Sequence, residues 1–386
     1  MNVGVVNESA GRERRVALVP AVIPALKKAG HEVLVETGAG LAAGYPDSAY
    51  GEKGATLLAN AAEVLGAAQL IARVGAGAVP ASPGDSHPYR AGQVVVAPLD
   101  PLSEPGAVAD LARTGATAFA LELVPRITRA QAMDILSSMA TISGYKAVLL
   151  AASELPRLFP MMMTAAGTIA PAKVFVVGAG VAGLQAISTA RRLGAVVDGY
   201  DVRPAVKEQV ESLGARFVEL PLETGQAEDK GGYAKAQDEE FYRRQREMMS
   251  RVVAGSDVVI TTAAIPGRQA PILVTEEMIR GMAPGSVVVD LAAERGGNCE
   301  GTQPGERVEL GGVTILGPVN LPATIPHHAS QLFARNMANF ITLLAPAGEL
   351  VLNLDDEILR ETLVTRGGEV VHHRIRELVQ SLPASG

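Results

Sequence analysis

The residues with the clearest chemical purpose lie near the middle of the chain. Gly178-Ala-Gly180-Val-Ala-Gly183 follows the β-rich run KVFVV and precedes LQAISTARRLG; the next β-rich run, AVVDGYD, ends in Asp201, 18 residues past Gly183. Three glycines at this spacing serve a tight turn, close approach of the backbone to an anion, and close packing of helix on strand, while the helix amino terminus offers unpaired N–H groups. Between a strand and a helix, the pattern predicts the pyrophosphate turn of a dinucleotide-binding fold, formed by Gly178, Gly180, Val181, Ala182 and Gly183. Asp201, flanked by Tyr200 and Val202, stands where an acid accepts hydrogen bonds from an adenosine ribose. A 2′-phosphate there would meet like charge at about 4 kcal/mol per charge pair at an effective dielectric of 20. NAD(H) is therefore expected over NADP(H). Arg203, two residues on, softens that preference, since arginine is the usual partner of such a phosphate. Asp198, or a plain surface role for Asp201, is the alternative.

A second polar group lies in Pro125-Arg126-Ile127-Thr128-Arg129-Ala-Gln131-Ala-Met-Asp134-Ile-Leu-Ser137. A helix over 129–140 would place Gln131, Asp134 and Ser137 within an arc of about 120°, opposite Met133, Leu136 and Met139. With an arginine beside it, that face could hold a carboxamide and a ribose; a solvated helix face is the competing interpretation. Further on, residues 222–237 carry no apolar period, and Gly231-Gly232-Tyr233 suits a mobile lid, against the alternative of a surface loop without a role. The six histidines suggest no general base: His327 and His328 follow a proline and are expected in a helix's first turn, and no metal-ligand spacing, Walker lysine or nucleophile elbow occurs. Oxidising an alcohol or amine needs a proton acceptor, whereas hydride passing directly between two nicotinamides needs positioning alone. The inventory favours the latter.

The elements that must carry these residues are short β-rich runs alternating with helical stretches. They predict an α/β protein with two Rossmann-like, doubly wound domains and mostly parallel sheets. Strands are expected at 2–7, 32–37, 70–74, 94–98 and 117–121, then at 173–177, 196–200, 215–220, 257–262, 286–291 and 313–317. Leu332, Phe333, Met337, Phe340, Ile341 and Leu344 mark an amphipathic helix over 329–344. The last 40 residues are too short to fold alone. Their expected return makes the first domain discontinuous, 1–140 plus 325–386, around a nucleotide domain at 141–324. A net charge of −7 has the wrong sign for wrapping nucleic acid or lying on an anionic membrane. One cysteine, Cys299, cannot form an internal disulfide, no signal layout opens the chain, and charges or prolines are expected to interrupt every apolar run before membrane-spanning length. A reducing cytoplasm fits these features.

The segments ESAGRERRVALVP, LVPRITRAQAMDILSSMATISGYKAV, VFVVGAGVAGLQAISTARRLGA, GGYAKAQDEEF and IPGRQAPILVTEEMI together resemble the NAD(H)-binding alpha component of proton-translocating nicotinamide nucleotide transhydrogenase. The resemblance covers nearly the whole chain. It implies Arg126, Gln131 and Asp134 as catalytic residues at the nicotinamide end, with Ser137 beside them. The implied cofactor contacts also include Ile127, Thr128, Arg129, the Gly178–Gly183 turn, Tyr200 to Arg203, Gly232 and Ala264, with Tyr233 closing over the nucleotide. It further implies a homodimer, an NADP(H)-binding partner subunit and a membrane-spanning proton channel on other polypeptides, and a cytoplasmic position at the inner face of the bacterial plasma membrane. No metal is implied. Alanine dehydrogenase, an NAD-dependent amino acid dehydrogenase, shares the superfamily and is the alternative. Its lysine-bearing V-K-E-P segment and later histidine are here Ala72-Arg73-Val74-Gly75-Ala76 and Ala97-Pro98-Leu99-Asp100.

Overall fold

A computed structural model describes residues 1–9, 11–75, 88–219, 239–264 and 267–382. The chain divides into two compact units, Met1–Met139 with Pro322–Gly386, and Ala140–Leu321. In the first, six parallel strands follow in turn: β1 (Asn2–Val5), β2 (Glu32–Glu36), β3 (Thr56–Leu58), β4 (Leu70–Ala72), β5 (Val94–Ala97) and β6 (Thr117–Ala120). The second begins with an antiparallel hairpin, β7 (Met162–Thr164) and β8 (Gly167–Ile169). It continues with β9 (Lys173–Val177), β10 (Val196–Tyr200), β11 (Arg216–Phe217), β12 (Val258–Thr261), β13 (Val287–Asp290), β14 (Arg307–Leu310) and β15 (Val313–Leu316). These seven stand in the order β11-β10-β9-β12-β13-β15-β14, parallel except for β14. The chain then returns to the first unit, where β16 (Leu363–Arg366) and β17 (Glu369–Val370) extend its sheet, β16 antiparallel to β6, giving β17-β16-β6-β5-β4-β1-β2-β3. Both are mostly parallel α/β sheets, the class expected from the alternating runs.

The apolar runs explain why the central strands form. VVVA, VVIT and VVVD in β5, β12 and β13 are buried at every position, as parallel strands covered on both faces must be. The longest helices among the described residues are α1 (Ile135–Glu154), α2 (Val181–Arg192), α3 (Glu239–Ala254) and α4 (Pro326–Leu344). Alternation splits the second unit's sheet between two cores. Val258, Ile260, Val287 and Val289 pack with Ala186, Ile187 and Ala190 of α2, whereas Val259, Val288, Phe175 and Val177 pack with Met249 and Val253 of α3. In the first unit, α4 buries Phe333, Met337, Phe340, Ile341 and Leu344 against Val3, Val5, Val94 and Val96. These are five of the six residues of the stripe read from the sequence; Leu332 is only partly buried and lies outside this core, and the helix starts earlier, at Pro326, with His327 and His328 in its first turn.

Two expectations require correction. The continuous helix over 129–140 does not form: a 3₁₀ helix, Thr128–Met133, stops at Asp134, whose backbone is extended, and α1 begins afresh at Ile135. Gln131, Asp134 and Ser137 therefore share no single helical face. The second correction concerns apolar length. Among the described residues α1 is long and apolar enough to cross a membrane by length and composition, because only Lys146 and the terminal Glu154 interrupt it. Its ends serve different cores, Ile135 in the first unit and Ala147, Val148 and Ala151 in the second, which accounts for apolar residues on several sides.

Candidate functional site

The three glycines of the second unit occupy three different environments. Gly178 follows β9 with φ +97°, a conformation closed to other residues at low cost, and its N–H donates to Tyr200 O at 2.8 Å. Gly183 lies in the first turn of α2, where an added Cβ would stand 1.8 Å from Gly178 O; here glycine permits helix and strand to touch. Gly180 precedes α2, and an added Cβ there would meet nothing nearer than Arg203 Nη2 at 4.0 Å. The turn is thus open at the point where an anion would approach the helix amino terminus, and it fits a pyrophosphate. The α2 helix start is braced from behind: a Cβ on Gly144 of α1 would lie 2.1 Å from Ala182 O. Val181 is 38 % exposed at the first turn.

Asp201 follows β10 directly, with its side chain only 5 % exposed. Its Oδ2 accepts from Ala179 N–H and Arg203 Nη2, both at 2.8 Å, and its Oδ1 accepts from Arg203 N–H and Nε, both at 2.9 Å. The acid therefore sits against the glycine turn, and Arg203 grips it with a bidentate fork. Asp198, the alternative ribose acid, is bound by Arg216 of the adjacent strand β11 at 2.6 and 2.9 Å. Tyr200 contributes backbone only. Its ring is buried beside α3, its hydroxyl accepts from Gln245 Nε2 at 2.9 Å, and burial pushes the phenol up to about 12. Val202 packs partly buried against the same core.

Past β12, Thr262 Oγ1 donates to Gly178 O at 3.0 Å, tying the neighbouring strand end to the turn. Ala263, just before Ala264, exchanges bonds with the Asn298 side chain: its N–H donates to Oδ1 at 2.9 Å and its carbonyl accepts from Nδ2 at 2.8 Å. Sequence reasoning does not single out Thr262, Asn298 or the buried Asp290 that holds the Asn298 loop. Asp290 ends the all-valine run of β13, the same strand-terminal placement that marks Asp201, and that signal could have found it. Gly232, Tyr233 and the rest of 222–237 lie outside the described residues.

In the first unit, the polar segment is held by its own chain. Asp134 caps α1, its Oδ1 accepting from Ser137 N–H at 2.9 Å and its Oδ2 from Ser137 Oγ at 2.5 Å. Arg129 is spent on a bidentate pair with Asp356, both bonds at 2.8 Å, which fastens the returning C-terminal segment. Arg126, Thr128 and Gln131 lie at least partly open to solvent, and Ile127 packs against the core. The stretch expected to differ from alanine dehydrogenases holds a buried network. Arg73 donates to Glu8 Oε2 through Nε at 3.2 Å and to Tyr89 Oη through Nη1 at 2.7 Å, while Glu8 also accepts from Val74 N–H at 2.8 Å. At the later stretch, Leu99 N–H at 2.7 Å and Asp100 N–H donate to Glu122 Oε1, and burial outweighs these bonds, pushing the carboxyl up to about 7.

Residues 4–143 match the model for the alanine dehydrogenase/PNT N-terminal domain, and residues 147–373 match that for the alanine dehydrogenase/PNT C-terminal domain. An NAD(P) transhydrogenase subunit alpha chain of Rhodospirillum rubrum is 46% identical over 376 residues, 96% of this chain and 98% of that one. The crystal structure of transhydrogenase from Sinorhizobium meliloti superimposes with a TM-score of 0.85 at 47% identity, covering 96% of this chain and all of the other. An L-alanine dehydrogenase structure gives 0.83 at 26% identity over 99% of this chain and 100% of its own. The chain belongs to the alanine dehydrogenase/PNT family, among the homologues of transhydrogenase subunit alpha.

Proposed function

We propose that this chain is the NAD(H)-binding component of a proton-translocating transhydrogenase. It binds NADH and presents it for direct hydride transfer to NADP⁺ on a partner subunit, with proton movement in a membrane-spanning third component. The observation that carries the reading is Asp201. A strand-end acid bonded to the glycine turn suits ribose hydroxyls and opposes a 2′-phosphate, which selects the NAD(H) half of the reaction. Bound there, reduced nicotinamide supplies the hydride. The chain's own work is to hold the pyrophosphate on the Gly178–Gly183 turn, fix the ribose at Asp201 and orient the ring; Arg126, Gln131, Asp134 and Ser137 are proposed for the carboxamide end. In this reading the chain acts as a homodimer, cytoplasmic and peripheral to the bacterial plasma membrane through its partners.

The L-alanine dehydrogenase likeness over 99% of the chain supports a second reading, an amino acid dehydrogenase. Against it, the lysine of the V-K-E-P segment is Arg73 here, and the later stretch Ala97-Pro98-Leu99-Asp100 carries no histidine to handle a substrate proton. Mixing the chain with an NADP(H)-binding transhydrogenase component decides between them. Hydride exchange between NADH and an NADP⁺ analogue is expected; turnover of L-alanine with NAD⁺ and no exchange would replace the first reading with the second.

A further inference from the structure

We propose that Asn298 is a positioning residue for the nicotinamide half of the bound nucleotide, an inference that rests on the function proposed above. Strand order gives the direction. The glycine turn follows β9, the ribose acid follows β10 on one side, and β12 and then β13 lie on the other. A dinucleotide crossing this switch point with its adenosine toward β10 sends its other half across the ends of β12 and β13.

The chain leaving β12 is held there by one buried side chain. Asn298 accepts from Ala263 N–H at 2.9 Å and donates to Ala263 O at 2.8 Å and to Pro271 O at 2.9 Å. Two main-chain points eight residues apart are thereby pinned to one carboxamide. Asn298 is pinned in turn: its N–H donates to Asp290 Oδ2 at 2.7 Å, and its carbonyl accepts from Leu273 N–H at 2.8 Å and Val274 N–H at 3.0 Å. Asp290 is fully buried, and its two oxygens also accept from Thr261 Oγ1, Ala292 N–H, Cys299 N–H and Thr302 Oγ1 at 2.8 to 3.0 Å. Such a fully satisfied network specifies a single backbone arrangement. It fixes the main chain just past β12, on the side away from the ribose acid, and asparagine alone among similar-sized side chains can supply the acceptor and both donations at once.

The test compares two ligands on the intact chain. ADP reports on the adenosine and phosphate contacts; NADH adds the nicotinamide half. Asn298→Ala removes all three bonds, and Asn298→Asp keeps the shape and the acceptor but turns an oxygen toward two carbonyls. For both variants NADH affinity is expected to fall at least tenfold while ADP affinity stays within twofold, with thermal melting confirming the fold. If Asn298→Ala does not fold, Asn298→Asp carries the comparison. Equal losses for both ligands, or no loss for either, overturn the inference. A wild-type chain that binds both ligands leaves the proposed function standing in either case, whereas a wild-type chain that binds neither sinks the function itself.

Discussion

Replacing Gly180 by alanine sets a methyl group where the turn's backbone must come closest to a pyrophosphate. The fold should hardly notice. The backbone at Gly180 is extended, φ −74° and ψ −169°, and the nearest atom to the new Cβ is 4.0 Å away, so the stability change should stay within about 0.5 kcal/mol and the melting temperature within about 2 °C. Binding should suffer. A methyl in that space keeps the phosphate oxygens from the helix amino terminus, and each charge-assisted bond lost costs about 1.5–3 kcal/mol, roughly ten- to hundredfold in Kd. Gly183→Ala is the mirror case: its Cβ would sit 1.8 Å from Gly178 O, so α2 must leave the strand, at an overpacking cost of about 3 kcal/mol and a melting temperature lower by about 6 °C or more. NADH fluorescence titration and calorimetric melting read both effects. A folded Gly180→Ala variant with unchanged NADH affinity would refute the assignment of this turn to a phosphate.

Asp201→Asn removes the carboxylate that Arg203 grips and the charge that repels a 2′-phosphate. NADPH affinity should rise at least tenfold relative to NADH in a competition titration, and unaltered selectivity would place discrimination elsewhere. Glu122 has its carboxyl raised from 4.5 to about 7 in the folded chain, so between these values the folded state holds its proton while the unfolded state has released it. Stability from this group is complete below about pH 4.5 and declines as the pH rises toward 7, by about 3 kcal/mol in all. Glu122→Gln should flatten that part of a denaturant-midpoint series against pH; a series of unchanged slope would contradict the burial argument.

Much of the fold is legible in the sequence because its central strands are unbroken apolar runs and its glycines punctuate the turns between them. What escapes is at the edges. Thr56–Leu58 carries two exposed residues in three, every residue of Met162–Thr164 and Gly167–Ile169 is exposed, and Glu369–Val370 is two residues long, so none shows a period. The continuous helix expected over 129–140 fails for another reason. By spacing alone Gln131, Asp134 and Ser137 belong to one helix, yet an aspartate three residues ahead of a serine N–H can cap a new helix, and it does. Asn298 leaves no local signal, since its partners are main-chain atoms of Ala263 and Pro271, 35 and 27 residues away. The glycine turn and Asp201 are readable because their chemistry depends on spacing along one βαβ unit.

In the proposed function, a nicotinamide held by this chain gives its hydride directly to a second nicotinamide. The measurement that tests it is isotopic: NADH carrying deuterium at the nicotinamide C4, this chain, an NADP(H)-binding transhydrogenase component and an NADP⁺ analogue, followed by mass spectrometry of the reduced analogue. Transfer of the label without dilution by solvent hydrogen is predicted. Reduced analogue carrying solvent hydrogen, or no reduction while L-alanine turns over with NAD⁺, would contradict it.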